Sequence, residues 1–157
     1  MDRDIKVWDL TIRKPTFGLT SSGGFVYSSD ISPVDPNLVA FGVGDGMFRV
    51  WNTQIEPTFV QTVWQGVKEK VTALAWHRTE LKLAFGTEHG KVGMWNSNNN
   101  KVVNSDKYHK KIVYSISFLG DEVLSCAGDG MVIKHDSSMN SGKLFDIESN
   151  GKFRHCL

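Results

Sequence analysis

Four stretches of this chain align without gaps: DRDIKVWD (Asp2–Asp9), DGMFRVWN (Asp45–Asn52), HGKVGMWN (His89–Asn96) and DGMVIKHD (Asp129–Asp136). Each sets a polar or glycine-containing turn before alternating apolar residues, the pattern of a half-buried β-strand, and ends on a ring followed by Asp or Asn. The rings are Trp8, Trp51, Trp95 and His135, spaced by 43, 44 and 40 residues. So regular an interval marks one supersecondary unit used repeatedly, and such a unit buries its apolar face only by stacking on a neighbour. Between the rings lie further β-like runs, among them FVYSSDI (Phe25–Ile31), LVAFGVG (Leu38–Gly44), KIVYSISF (Lys111–Phe118) and EVLSCAG (Glu122–Gly128). Ser21–Gly24, Ser32–Asn37 and Ser97–Lys101 carry the Gly, Pro, Ser and Asn content of turns. No segment has helical periodicity.

A repeat of about 40–45 residues closing on Trp-Asp is the mark of a WD-repeat blade, so the predicted fold is an all-β, partial β-propeller with about three blades of a larger ring. The expected division is the end of a blade over 1–20, blades over 21–64 and 65–108, a degraded blade over 109–147, and a disordered tail over 148–157. Trp8, Trp51, Trp95, Asp45 and Asp129 are the structural positions of the repeat: the rings pack between blades and the turn carboxylates accept backbone or side-chain hydrogen bonds. A propeller usually closes with about four to eight blades, and 157 residues cannot close a typical seven-bladed ring. Met1 falls inside a blade, which is the expectation for a truncated chain or a shortened gene model.

A net charge of +1 leaves no strongly basic field, so nucleic-acid binding would have to come from local arrangement. No apolar run reaches the length of a membrane span. The start of the chain lacks the apolar segment of a secretory signal. Cys126 and Cys156 form neither metal spacing nor a disulfide framework.

Catalytic constellations are missing from the pattern. There is no GxSxG elbow, HExxH or CxxC, and the histidines (His77, His89, His109, His135 and His155) fall in separate repeats. GVGDG joins two strands rather than a strand and a helix, so it lacks the helix N-terminus of a phosphate cradle. The chain is expected to be neither an enzyme nor a cofactor or metal protein.

Residues that the blade pattern does not require are more informative. Aligning the innermost strands puts Phe25, Lys70 and Ile112 in one column and Tyr27, Thr72 and Tyr114 in another. Aromatics beside Lys68, Lys70, Lys107, Lys110 and Lys111 suit single-stranded RNA better than a duplex, because unstacked bases can lie on exposed rings. The alternative is that the tyrosines pack between blades and the lysines are merely solvated. Trp64, in VWQGVKEK, lies outside the repeat position and either caps an outer strand or offers its ring to a ligand.

MDRDIKVWD, GGFVYS, GVGDGMFRVWNT, WQGVKEKVTALAWH, AFGTEHGKVG and YHKKIVYS together resemble the gem-associated WD-repeat family, the RNA-binding subunits of the SMN complex. WQGVK and YHKK are not general WD-repeat features, and the resemblance runs in order over residues 1–136. It implies two joined seven-bladed propellers in the whole protein, with this chain near their junction. It also implies recognition of snRNA at the single-stranded, U-rich Sm site, with the 5′ m7G cap as a further candidate, in the assembly of snRNPs. Other SMN-complex subunits are the implied protein partners, the ribosome is a further candidate, no membrane is involved, and the location is cytoplasmic and nuclear. Family RNA-contacting positions fall on Phe25, Tyr27, Trp64, Lys68 and Tyr114: rings for stacking, Lys68 for phosphate or base edges. The family's insert after YHKK is reduced here to FLGDE, and the resemblance fades beyond Asp136. A protein-interaction scaffold and a fragment with no function of its own are the competing expectations.

Overall fold

The computed structural model describes residues 3–55, 59–62 and 69–145. β1 (Asp4–Asp9) and β2 (Lys14–Thr20) form a two-stranded sheet. The first full blade is β3 (Val26–Ile31), β4 (Leu38–Val43), β5 (Phe48–Asn52) and β6 (Phe59–Thr62). A second comprises β7 (Val71–Trp76), β8 (Lys82–Thr87), β9 (Lys91–Asn96) and β10 (Lys101–Lys107). β11 (Val113–Leu119), β12 (Glu122–Ala127), β13 (Val132–His135) and β14 (Ser141–Phe145) make the third. In every blade the strands pair antiparallel in sequence order. The third blade thus has four strands despite the loss of Trp at His135.

Burial follows position in the blade. β4 and β8 are buried on both faces, and they read accordingly as the nearly continuous apolar runs LVAFGV and KLAFGT. β3 lies at the sheet's inner edge and alternates between half-buried and exposed. Between the first and second blades, Phe48 packs on Phe85 and Trp95 at centroid distances of 5.3 and 5.9 Å, and within the second blade Trp76 meets Trp95 edge-on at 6.3 Å. Ala84, Val92 and Met94 meet Val113 and Ile116 between the second and third. Ile5 and Val7 cover Val39, Phe41 and Trp51 from the two-stranded side.

The blades approach closely because of two glycines at equivalent positions. A Cβ on Gly42 would lie 2.6 Å from the Val71 carbonyl oxygen, and one on Gly86 would lie 2.5 Å from Val113 Cγ1. The same seams are tied by Ser28 Oγ donating to the Val71 carbonyl at 3.3 Å and Thr72 Oγ1 to the Val113 carbonyl at 2.7 Å. At the far end the Trp76 amide donates to Asp30 Oδ2 at 2.8 Å and its indole N–H to the Asp30 carbonyl at 3.2 Å.

The repeat positions behave unequally. Trp51 and Trp95 are buried, and the Trp95 indole N–H donates to Asn100 Oδ1 at 3.1 Å. Trp8 departs from the expectation of a ring packed between blades: it is 54% exposed. β1 has β2 as its one sheet partner among the described strands, so nothing described covers the ring as β4 and β8 help to cover its equivalents. Asp45 accepts the Met47 amide and forms a two-point pair with Arg49 at 3.2 and 2.7 Å. The predicted tail over 148–157 lies outside the described residues.

Gly42→Ala is expected to lower unfolding free energy by about 1–3 kcal/mol through overpacking against backbone. Gly18→Ala in β2, whose Cβ would meet nothing nearer than 3.9 Å, is the control. Urea titrations check the difference, and equal midpoints for the two variants would contradict the proposed seam.

Candidate nucleic-acid interface

Each innermost strand carries a bulge in its first turns. Val26 pairs with Val43 and Ser28 with Gly42, leaving Tyr27 as the extra residue. Thr72 is extra between Val71 and Ala73, and Tyr114 between Val113 and Ser115. A bulge re-aims the side chain that it inserts. The sequence column Tyr27, Thr72 and Tyr114 is therefore a column of bulged residues, all at the end of the blades where the inner strands begin.

The residues two places earlier are held just as regularly. The Phe25, Lys70 and Ile112 carbonyls accept the amides of Gly44, Glu88 and Gly128 at 3.2, 3.0 and 2.9 Å. In the first and third blades the partner is glycine and the tyrosine lies against it. Tyr27 Cε2 is 3.3 Å from where a Cβ on Gly44 would sit, and Tyr114 Cε2 is 3.2 Å from that of Gly128. A side chain at either glycine would displace the ring. Phe25 and Tyr27 are each 44% exposed, while Tyr114 is half-buried.

The middle blade offers charge in place of a ring. Glu88 Oε1 accepts the Lys70 amide at 3.0 Å and Oε2 accepts Lys70 Nζ at 2.8 Å. Hydrogen bonding to Lys70 holds the Glu88 carboxyl below the usual range, and hydrogen bonding to Glu88 raises Lys70. Lys70 Nζ also stands 5.6 Å from the centre of the Tyr27 ring, within cation–π reach. Thr72 is committed to Val113 and presents no stacking surface. Lys107, Lys110 and Lys111 are exposed near the start of β11.

Phe25, Tyr27 and Tyr114 thus share one end of the blades. Trp64 and Lys68 lie outside the described residues. Sequence reading missed Glu88, Gly44 and Gly128; the missed signal is their equivalent placement one strand after the aromatic columns.

It also missed a buried polar chain in the third blade. His109 Nδ1 lies 3.2 Å from Asp129 Oδ1, and its Nε2 lies 2.8 Å from Ser125 Oγ. Ser125 Oγ in turn lies 2.8 Å from His135 Nε2. The Asp129 carboxylate fixes the direction: His109 donates from Nδ1, Ser125 donates to His109 Nε2, and His135 Nε2–H donates to Ser125. His135 Nδ1 is left bare and buried with no partner. A tryptophan N–H at this repeat position could make the same donation, so His135 substitutes for the ring and for its donor. Although Ser, His and Asp meet here, Ser125 is fully buried, with both neighbouring imidazoles enclosed. The network braces the blade. The His before each blade in the G-H…W-D repeat pattern is the sequence cue to His109.

Comparison with known proteins agrees with this architecture. The WD40-domain model described for anaphase-promoting complex subunit 4 matches residues 35–121, more than half of the sequence. The chain belongs to the WD40 family. Gem-associated protein 5 of Homo sapiens and of Mus musculus are each 46% identical to it over 94% of this chain. Component of gems protein 5 of Dictyostelium discoideum is 33% identical over 74%. The chain spans 11% of the length of the two mammalian proteins and 10% of the Dictyostelium one, so it corresponds to a part of them. The β-propeller domain of Myceliophteria thermophila Cps50 (Swd1) superposes with a TM-score of 0.74 at 17% identity, covering 85% of this chain and 45% of that one. That likeness concerns the fold.

Burial, with a smaller contribution from the neighbouring His109, lowers the His135 pKa from an ordinary 6.5 to about 4. The unfolded chain therefore binds the extra proton first as pH falls. Stability from this group is complete above pH 6.5 and drains away down to about pH 4, at most on the order of 3 kcal/mol. His109 is lowered by burial in the same direction. His135→Phe should flatten the loss of stability across this window, measured by urea unfolding at stepped pH. An unchanged slope would contradict the neutral, bare-Nδ1 assignment.

Proposed function

We propose that this chain is an RNA-recognising part of a non-catalytic WD-repeat subunit of the SMN complex, contacting snRNA for snRNP assembly. The observation that carries the reading is the pair of bulged tyrosines, Tyr27 and Tyr114, at the same end of the blades, with the Lys70–Glu88 pair on the blade between them. Rings re-aimed by bulges give faces on which unpaired bases can stack, and stacking tolerates a single-stranded backbone that a duplex groove does not offer. Likeness to Gem-associated protein 5 supports the family reading, and the RNA proposed on that reading is a U-rich Sm site, with the 5′ m7G cap as the second element.

In this reading Phe25, Tyr27 and Tyr114 stack bases, joined by Trp64. Lys70 and Lys68 meet phosphate or base edges, and Glu88 keeps Lys70 extended beside the Tyr27 ring. Lys107, Lys110 and Lys111 add local positive charge on a chain of nearly balanced total charge. The other SMN-complex subunits and the ribosome would then be reached through the whole protein, of which this chain supplies a portion, in the cytoplasm and nucleus.

The test is fluorescence anisotropy with a capped, U-rich single-stranded RNA and a scrambled control. Tyr27→Ala and Tyr114→Ala should each weaken binding, since a lost stack costs about 1–3 kcal/mol, or roughly fivefold to 150-fold. Thr72→Ala, at the equivalent bulge of the middle blade, should lower stability through the lost 2.7 Å bond to Val113 while leaving RNA affinity unchanged. Unchanged affinity in both tyrosine variants, each still melting cooperatively, would overturn the assignment.

A further inference from the structure

The opposite end of the blades carries a second surface that the RNA site does not use. A cavity of about 440 Å³ lies between the β7–β8 and β11–β12 turns, lined by His77, Arg78, Phe118, Leu119 and Asp121 among others. Beside it, a cavity of about 380 Å³ runs under the far ends of β3, β7 and β11, with Asp30, Leu74, Ala75 and Ile116 on its walls. Arg78 and Phe118 line both, so the two form one groove across three consecutive blades. Its rim holds Leu119, 57% exposed, and it is continuous with the turn bearing the exposed Ile31 and Val34.

The groove is rigidly framed. His77 is buried, with Nδ1 accepting the Thr79 and Glu80 amides at 3.3 and 3.1 Å and Nε2–H donating to the Gly120 carbonyl at 3.0 Å. This pins the β7–β8 turn to the β11–β12 turn. The His77 ring also meets Phe118 edge-on at 4.9 Å, fixing the apolar floor.

The charges decide what fits. Asp30 is occupied by the Trp76 and Ile31 amides, at 2.8 and 3.0 Å. Asp121 faces His77 Nε2 at 3.3 Å. The nearby lysines are spent as well: Lys82 pairs with Glu80 at 2.7 Å and Lys134 with Glu122 at 2.8 Å. Arg78 is exposed and has no acceptor among the described residues. A lone guanidinium at the junction of two apolar-floored cavities calls for a planar anion delivered beside an apolar side chain.

We propose that this groove binds an acidic linear peptide segment of a partner protein, with a carboxylate on Arg78 and an aromatic or branched side chain on the Phe118–Leu74 floor. An RNA strand fits less well. Asp30 and Asp121 flank the single cation and would repel a chain of phosphates, whereas a short peptide can place one carboxylate between them.

The test is an array of labelled hexapeptides, each with one Asp or Glu beside Leu, Phe or Trp among otherwise uncharged residues, titrated by fluorescence polarisation against the full chain. Matched arrays replace the acids by Lys or the apolar residue by Ser. Saturable binding of acidic–apolar members alone is expected, weakened roughly tenfold or more by Arg78→Glu and also by Leu119→Ser. Both residues are exposed, so the variants should keep the parent melting curve. Excess U-rich RNA should leave bound peptide in place. The proposal is overturned if no acidic–apolar peptide saturates, if Lys or Ser arrays bind equally, or if Arg78→Glu has no effect. Displacement by RNA, or an Arg78-dependent self-association seen by sedimentation, would overturn it by assigning the groove to RNA or to a second copy.

Discussion

The innermost strand of one blade rests on a glycine in the second strand of the blade before it, and most of the structure depends on that approach. At Gly42 the neighbour is Val71 backbone; at Gly86 it is the Val113 side chain. With no Cβ in the way, Ser28 and Thr72 reach carbonyls across the seam, and Phe48, Phe85, Trp76 and Trp95 close into one aromatic cluster. The same spacing brings successive bulged residues into one column at one end, and successive strand-to-strand turns into one groove at the other. Both candidate surfaces are therefore consequences of how tightly the blades stack.

Within that frame the blades diverge in chemistry while keeping their geometry. The first and third place a tyrosine over a glycine, and the second substitutes a Lys–Glu pair at the equivalent place. The third also exchanges an apolar interior for a polar chain. Where β4 and β8 have Phe41 and Phe85, β12 has Ser125, and His109, His135 and Asp129 complete its hydrogen bonds. A buried polar chain of this kind specifies one arrangement when every member is satisfied. The bare Nδ1 of His135 is where that satisfaction ends, and it makes this blade sensitive to acid.

The repeat was legible in the sequence because its signal is periodic: strands, turns and the burial of Trp51 and Trp95 followed from spacing alone. Placement of Tyr27 and Tyr114 on one end was also legible, since equivalent repeat positions occupy equivalent places. The bulges that turn their rings were not, because a bulge is a property of register against the partner strand. Trp8 misled for a related reason: its motif is intact, yet no strand among the described residues covers its ring. Glu88 was hidden because its role exists in relation to Lys70, eighteen positions earlier in sequence and one strand away in space. Arg78 carried no sequence signal, being a single cation whose meaning comes from the neighbours that leave it unpaired.

Photo-crosslinking tests the central claim most directly, using a capped U-rich RNA with 4-thiouridine at the Sm-like site and mass spectrometry to map the adducts. RNA stacked on the bulged tyrosines should give adducts in the peptides holding Phe25, Tyr27 and Tyr114, and these should vanish with scrambled RNA. Adducts confined to the outer strands or to the Arg78 end of the blades would contradict it.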